Sequence, residues 1–114
     1  MLLVFTKFLI PKGFRGLTIY PFVFIRHKSD KKNAIFINHE KIHLRQQLEM
    51  LIIPFFIWYF LEFVFRLLQY KNFDRAYLNI SFEREAYTKE SDLSYLNKKP
   101  FFSFLNFILV KTKK

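Results

Sequence analysis

The chain contains no cysteine, which excludes a disulfide scaffold and every thiolate metal site. Any metal bound here must use histidine, aspartate or glutamate. Glycine occurs only twice, both in the stretch PKGFRG, so one turn is marked there. Acidic residues are scarce, 9 against 19 Lys and Arg, for a net charge of +10. No charge-free apolar run reaches bilayer-spanning length: the longest is Met50 to Leu61, twelve residues. Continuing it to Leu68 gives that length only by including Glu62 and Arg66, spaced i, i+4 to pair on one helix face. The segment is expected to be a buried or membrane-seated helix, with a spanning helix the lesser reading. The N-terminal MLLVFTKFLIPKG lacks a positive leading region and a small-residue cleavage site, and Lys7 interrupts its apolar run, so no cleavable signal peptide is expected.

What the chain has in excess is apolar surface. Residues of this class make up 52%, and 17 of the 114 residues are Phe. Such a chain has ample surface to bury and is not disordered. Its length fits one small domain, 1–114, with one core and little left for a deep cleft. Positive charge combined with exposed aromatics suits the anionic face of a membrane. Nucleic acid is the disfavoured partner, because the Phe residues cluster in apolar runs instead of alternating with basic ones. The tail at 100–114, PFFSFLNFILVKTKK, resembles an amphipathic membrane-contacting anchor. Location at a membrane, on the cytoplasmic side, is the expectation.

The pattern predicts an α+β fold, mostly α. Three or four helices follow a small edge strand or hairpin near the N-terminus. Residues 1–10 suit a strand or a short helix. LTIYPFVFIRHK is expected as a strand, on an edge or bent at Pro21, which has no amide to donate. Ser29, Asp30 and Asn33 are candidate N-caps for a first long helix from about Ala34 to Ile53, ended or kinked at Pro54. A second helix is expected over about 55–70. A third begins near Asp74 or Ser81 and ends near Lys89, followed by a polar loop, SDLSYLNKKP.

The first long helix carries INHEKIHLRQ. His39 and His43 project from one face, one turn apart. Two imidazole nitrogens at that spacing can both reach one Zn²⁺ at about 2.0–2.1 Å. Glu40, the next residue after His39, is placed to work on a water at that metal, which is the geometry behind HExxH. The same two histidines could equally be exposed polar residues of a basic helix. The burial cost of His and Glu in so apolar a neighbourhood favours a compensating metal. A catalytic site needs a third ligand. The extended form HExxHxxGxxH is absent, since Glu49 stands where its third histidine would be. His27, at a strand end, suits an exposed residue. The downstream stretch SFEREAY offers Glu83 and Glu85, 40 and 42 residues after His43, on a helix that the apolar segment can fold back over the first. Tyr77, Ile80, Glu83 and Tyr87 fall on one face of that helix. Gln46, three residues past His43, could brace the site.

HExxH followed by EREAY resembles the gluzincin metallopeptidases. It is similar to the third-ligand motif of HtpX-like and CAAX prenyl membrane proteases, to BlaR/MecR-type sensor proteases, and to the minigluzincins. The resemblance runs from about His39 to Tyr87 and is specific at His39, Glu40, His43, Glu83 and Ala86. It implies His39, His43 and Glu83 as zinc ligands and Glu40 as general base, with Glu85 as the fallback ligand. Tyr87 stands where those families usually carry an Asp that supports a ligand histidine, and it brings one hydroxyl and no charge. It further implies hydrolysis of a peptide or protein substrate, captured along an exposed strand such as Thr18 to Arg26. Tyr87, Tyr77 and Tyr20 are the hydroxyls available for the oxyanion. The alternative expectation is a non-catalytic zinc-binding sensor or partner-binding membrane protein.

Overall fold

The computed structural model describes residues 1–11 and 13–109. It is α+β and mostly helical. Three short strands, β1 (Leu2–Phe5), β2 (Gly16–Ile19) and β3 (Phe22–Ile25), precede five helices. These are α1 (Ala34–Glu49), α2 (Ile53–Tyr70), α3 (Phe73–Leu78), α4 (Ser81–Lys89) and α5 (Tyr95–Lys98), with 3₁₀ turns at Lys28–Lys32 and Ser103–Phe107.

The sheet order is β1-β3-β2. β1 runs parallel to β3, Leu2 opposite Phe22, while β2 pairs with β3 antiparallel, Gly16 opposite Ile25. The expected single strand around Pro21 is therefore two. Proline has no amide for a ladder, and Tyr20–Pro21, a cis peptide, forms the turn between them. One consequence corrects the sequence expectation: residues 22–25 lie at the centre of the sheet, and only β2 is an edge on that side. Buried Val23 and Ile25 pack with Phe36 and Leu44 of α1.

Helix α1 starts where Asn33 accepts a hydrogen bond from the Phe36 amide at 3.1 Å, so Asn33 is the cap among the three candidates. Asp30 instead pairs with Arg15 at 2.7 Å. The helix ends at Glu49, four residues short of the expected end. Leu51 and Ile52 take positive φ, 63° and 66°, and the chain restarts as α2 with Pro54 in the first turn. A proline there gives up an amide that has no helical partner anyway.

The expected third helix is two, broken at Asn79 and Ile80, and both of its proposed starts are used. The polar loop after it contains the short helix α5. The described part of the expected tail is docked against the body. Ser103 and Phe104 are buried, and Phe104 joins Phe55, Ile80 and Phe82 in a core cluster. Residues 110–114, with the terminal lysines, lie outside the described residues.

Candidate metal centre

Buried positions on α1 are mostly polar: Asn38, His39, Glu40, His43, Gln46, Gln47 and Glu49. An interior helix face of this kind must find partners for each group, and it finds them on α4, the strand edge and the C-terminal segment. Helix α4 is held at both ends. Glu62 of α2 accepts hydrogen bonds from the Ser81 amide (2.7 Å) and hydroxyl (2.6 Å) at its start. Asn38 of α1 donates to the carbonyls of Glu90 (2.8 Å) and Asp92 (3.0 Å) just past its end. Between these clamps Glu83 is turned onto α1.

There His39, His43 and Glu83 converge. Nε2 of His43 lies 3.2 Å from Nε2 of His39 and 3.1 Å from Oε1 of Glu83, and the remaining side of the triangle, His39 Nε2 to Glu83 Oε1, is 3.3 Å. Donor atoms of a tetrahedral site with bonds of about 2.0–2.1 Å stand roughly 3.3–3.4 Å apart. The triangle is within a few tenths of an ångström of that.

The outer nitrogens fix the tautomers. Gln46 Nε2 donates to the Phe82 carbonyl (3.1 Å) and to Glu85 Oε1 (2.8 Å). Its Oε1 therefore faces His43 Nδ1, at 2.8 Å, as an acceptor. His39 Nδ1 lies 2.8 Å from Glu90 Oε1, also an acceptor. Each Nδ1 thus carries its proton outward, and both Nε2 lone pairs point at Glu83. Three acceptor atoms meet with no donor among them, so a cation between them is required, a proton or a metal ion. In the metal-free protein protonation of the imidazoles fills that role. Burial would push His39 down, but its hydrogen bonds to Glu83 and Glu90 raise it to about 9. His43 is also raised: burial opposes this, and the Glu83 charge outweighs it. Burial would push Glu83 up, and the two imidazoles hold it far below the usual carboxylate range instead. Among the described residues this is the group of three whose ligand atoms lie within 4.8 Å of one another.

Glu40 is buried and lines the same cavity, of about 270 Å³, as the three converging side chains. Thr18 of β2 donates its hydroxyl to Glu40 Oε2. Gly16 lets the strand come this close. A Cβ at Gly16 would sit 2.9 Å from the Phe36 ring, 3.0 Å from the Phe24 carbonyl and 3.3 Å from Glu40 Oε1. Phe55, Phe56, Tyr59 and Phe63 of α2 form an apolar wall opposite.

Other expected residues are placed differently. Glu85 is neither a ligand nor a surface charge. It is fully buried, receives Gln46 and Tyr95 (2.7 Å) and is bonded by Ser103. It therefore supports the brace on His43. Tyr87 packs its ring edge-on against His39 at 4.5 Å, and its hydroxyl meets that of Tyr77 at 3.4 Å. Burial pushes it up to about 12, so it stays protonated. The carboxylate beside His39 Nδ1 is that of Glu90. Sequence reasoning missed Glu90, Tyr59, which donates to Glu83 Oε2 at 2.8 Å, and Thr18. Only EAYTKE, an acidic residue one helical turn further on, could have drawn attention to Glu90. Tyr77 lines the cavity and Tyr20 does not. The Gln47 side chain accepts from the Tyr20 amide (2.7 Å) and donates to the Thr18 carbonyl (2.6 Å). Two backbone groups that an added peptide strand would use are thereby engaged.

No family model, curated protein or solved structure matches the chain.

Proposed function

We propose that the chain is a small, membrane-associated zinc-dependent peptidase in which His39, His43 and Glu83 hold the metal and Glu40 is the general base. One observation carries the reading: two Nε2 lone pairs and a carboxylate oxygen meet in a near-equilateral triangle of 3.1–3.3 Å sides without a donor. All-N/O donors, three in number, suit a catalytic zinc with one position left for water. Zinc bound there supplies a Lewis acid and brings the pKa of a water towards about 7.

The chain's own groups do the rest. Gln46 and Glu90 keep both imidazoles in the tautomer that presents Nε2. Tyr59 holds Glu83 Oε2 and leaves Oε1 to the metal. Thr18 fixes one oxygen of Glu40, and the carboxylate takes a proton from the attacking water and passes it to the leaving amine. Phe55, Phe56 and Phe63 exclude bulk water and receive apolar side chains of the peptide.

The second reading, a zinc-binding sensor without turnover, is favoured by Gln47, which covers part of the strand edge. Glu40→Gln separates the two. For a peptidase it retains one zinc per chain and loses hydrolysis of a peptide library by about 10²–10⁴-fold. Native-purified protein without metal, and unchanged by His39→Ala, ends both.

A further inference from the structure

Helix α2 is amphipathic the wrong way round for a protein surrounded by water. Its two charged residues, Glu62 and Arg66, face the body of the protein. Their side chains are 8% and 6% exposed and pair with each other at 3.3 Å. Glu62 also caps α4, and Arg66 donates to the Ile108 carbonyl at 2.5 Å. The opposite face holds Ile53, Ile57, Phe60, Leu61, Phe65 and Leu68, each between 57% and 74% exposed. At 100° per residue these cover an arc of roughly 140°. They present no hydrogen-bonding side chain along a helix about 27 Å long.

A face of Ile, Leu, Phe and Val64 with a tryptophan, Trp58, at its border matches lipid chains and their headgroup boundary. A helix crossing the bilayer would need lipid around more of its circumference, yet the other flank of α2 carries the ion pair and packs on Ile80, Phe82 and Phe104. The net charge of +10 sets the sign of the headgroups.

We propose that α2 lies along an anionic lipid surface, its outer face sunk about 5–10 Å into the headgroup boundary. Phe56 lines both the cavity of the metal triad and the outer groove of Ile53, Ile57 and Phe60. The cleft therefore opens one side chain away from the lipid. This deepens the membrane-associated part of the proposed function and does not depend on hydrolysis.

Trp58, the chain's one tryptophan, stands on α2 at the border of this face, 37% exposed, and is a built-in probe. Purified full-length protein is titrated with vesicles of phosphatidylcholine alone, or mixed with phosphatidylglycerol, with and without brominated chains. The expected result is a blue shift and bromine quenching of Trp58, stronger with the anionic vesicles. The Phe60→Asp, Leu68→Asp double variant, with an unchanged circular dichroism spectrum and zinc content, partitions at least about a hundredfold less. An unshifted, unquenched Trp58 in folded wild-type protein overturns the proposal, as does a double variant that still binds vesicles. Equal response to both vesicle types overturns the anionic preference. A dimer that the double variant dissolves, without any vesicle response, assigns the face to a second copy. Vesicle binding without zinc leaves this proposal standing and ends the peptidase reading; zinc without vesicle binding does the reverse.

Discussion

Zinc entering the triad would have to displace the proton that His39 holds there. Burial would lower His39, but its hydrogen bonds to Glu83, 3.3 Å from its Nε2, and to Glu90, 2.8 Å from its Nδ1, raise it to about 9. At pH 7.5 that site is almost fully protonated in the metal-free protein. Zinc binding should release at least about one proton, from His39 and in part from the also-raised His43, against about 0.1 for an imidazole of ordinary pKa near 6.5. The apparent affinity should rise at least about tenfold per pH unit towards about pH 9 and then level off. From 6.5 to 9 the proton's hold on the site amounts to about 3 kcal/mol. Calorimetric titration with zinc, at one pH in buffers of differing ionisation enthalpy, counts the protons directly. Release no greater than that of an ordinary imidazole, or affinity flat between pH 7 and 8.5, would refute the convergence of three acceptors on one cation.

The same group sets the stability of the metal-free protein. A folded pKa above the unfolded one contributes stability that is complete below about pH 6.5 and disappears as pH rises through about 9, so chemical unfolding should show a decline of up to about 3 kcal/mol across that window; a level profile contradicts it. Glu90→Gln removes the carboxylate on His39 Nδ1 and should weaken zinc about 10–100-fold in a chelator competition with little change in fold. Glu85→Ala leaves Gln46, Tyr95 and Ser103 short of a partner in a fully buried place; it should cost about 2–4 kcal/mol in thermal unfolding and also lower zinc affinity through His43, whereas Glu85→Gln restores most of both. Gly16→Ala drives a methyl into the Phe36 ring and the Phe24 carbonyl, and denaturant unfolding should show a loss of about 1–3 kcal/mol.

Local signals carried most of the secondary structure. Asn33 before an apolar-periodic stretch marked the start of α1, and Pro54 marked the break between two helices, because caps and prolines act within a turn of where they stand. The i, i+4 spacing of His39 and His43 is likewise a property of one helix. Errors came where two local outcomes were nearly equal. A proline in a β-rich run can bend a strand or turn it back on itself, and only the pairing of β2 with β3 decides. Asn79 and Ile80 broke a helix whose periodicity continued across them.

By itself the sequence determined that any metal here must be held by nitrogen and oxygen, that two histidines share a helix face, and that the apolar segment at 50–68 carries one charge pair. Which way that pair points was decided by the tertiary structure, since Glu62 turns inward to cap α4 and leaves the outer face of α2 bare. So was the choice between Glu83 and Glu85, two residues apart on one helix. Glu83 turns to the imidazoles, and Glu85 turns to Gln46, Tyr95 and Ser103. The cluster draws carboxylates from three separate places, Glu40, Glu83 and Glu90, and the groups that meet each of them, Thr18 for Glu40, Tyr59 and the two imidazoles for Glu83 and His39 for Glu90, stand far from it in sequence. No spacing along the chain encodes that, which is why Glu90 and Tyr59 appear only when the helices are packed.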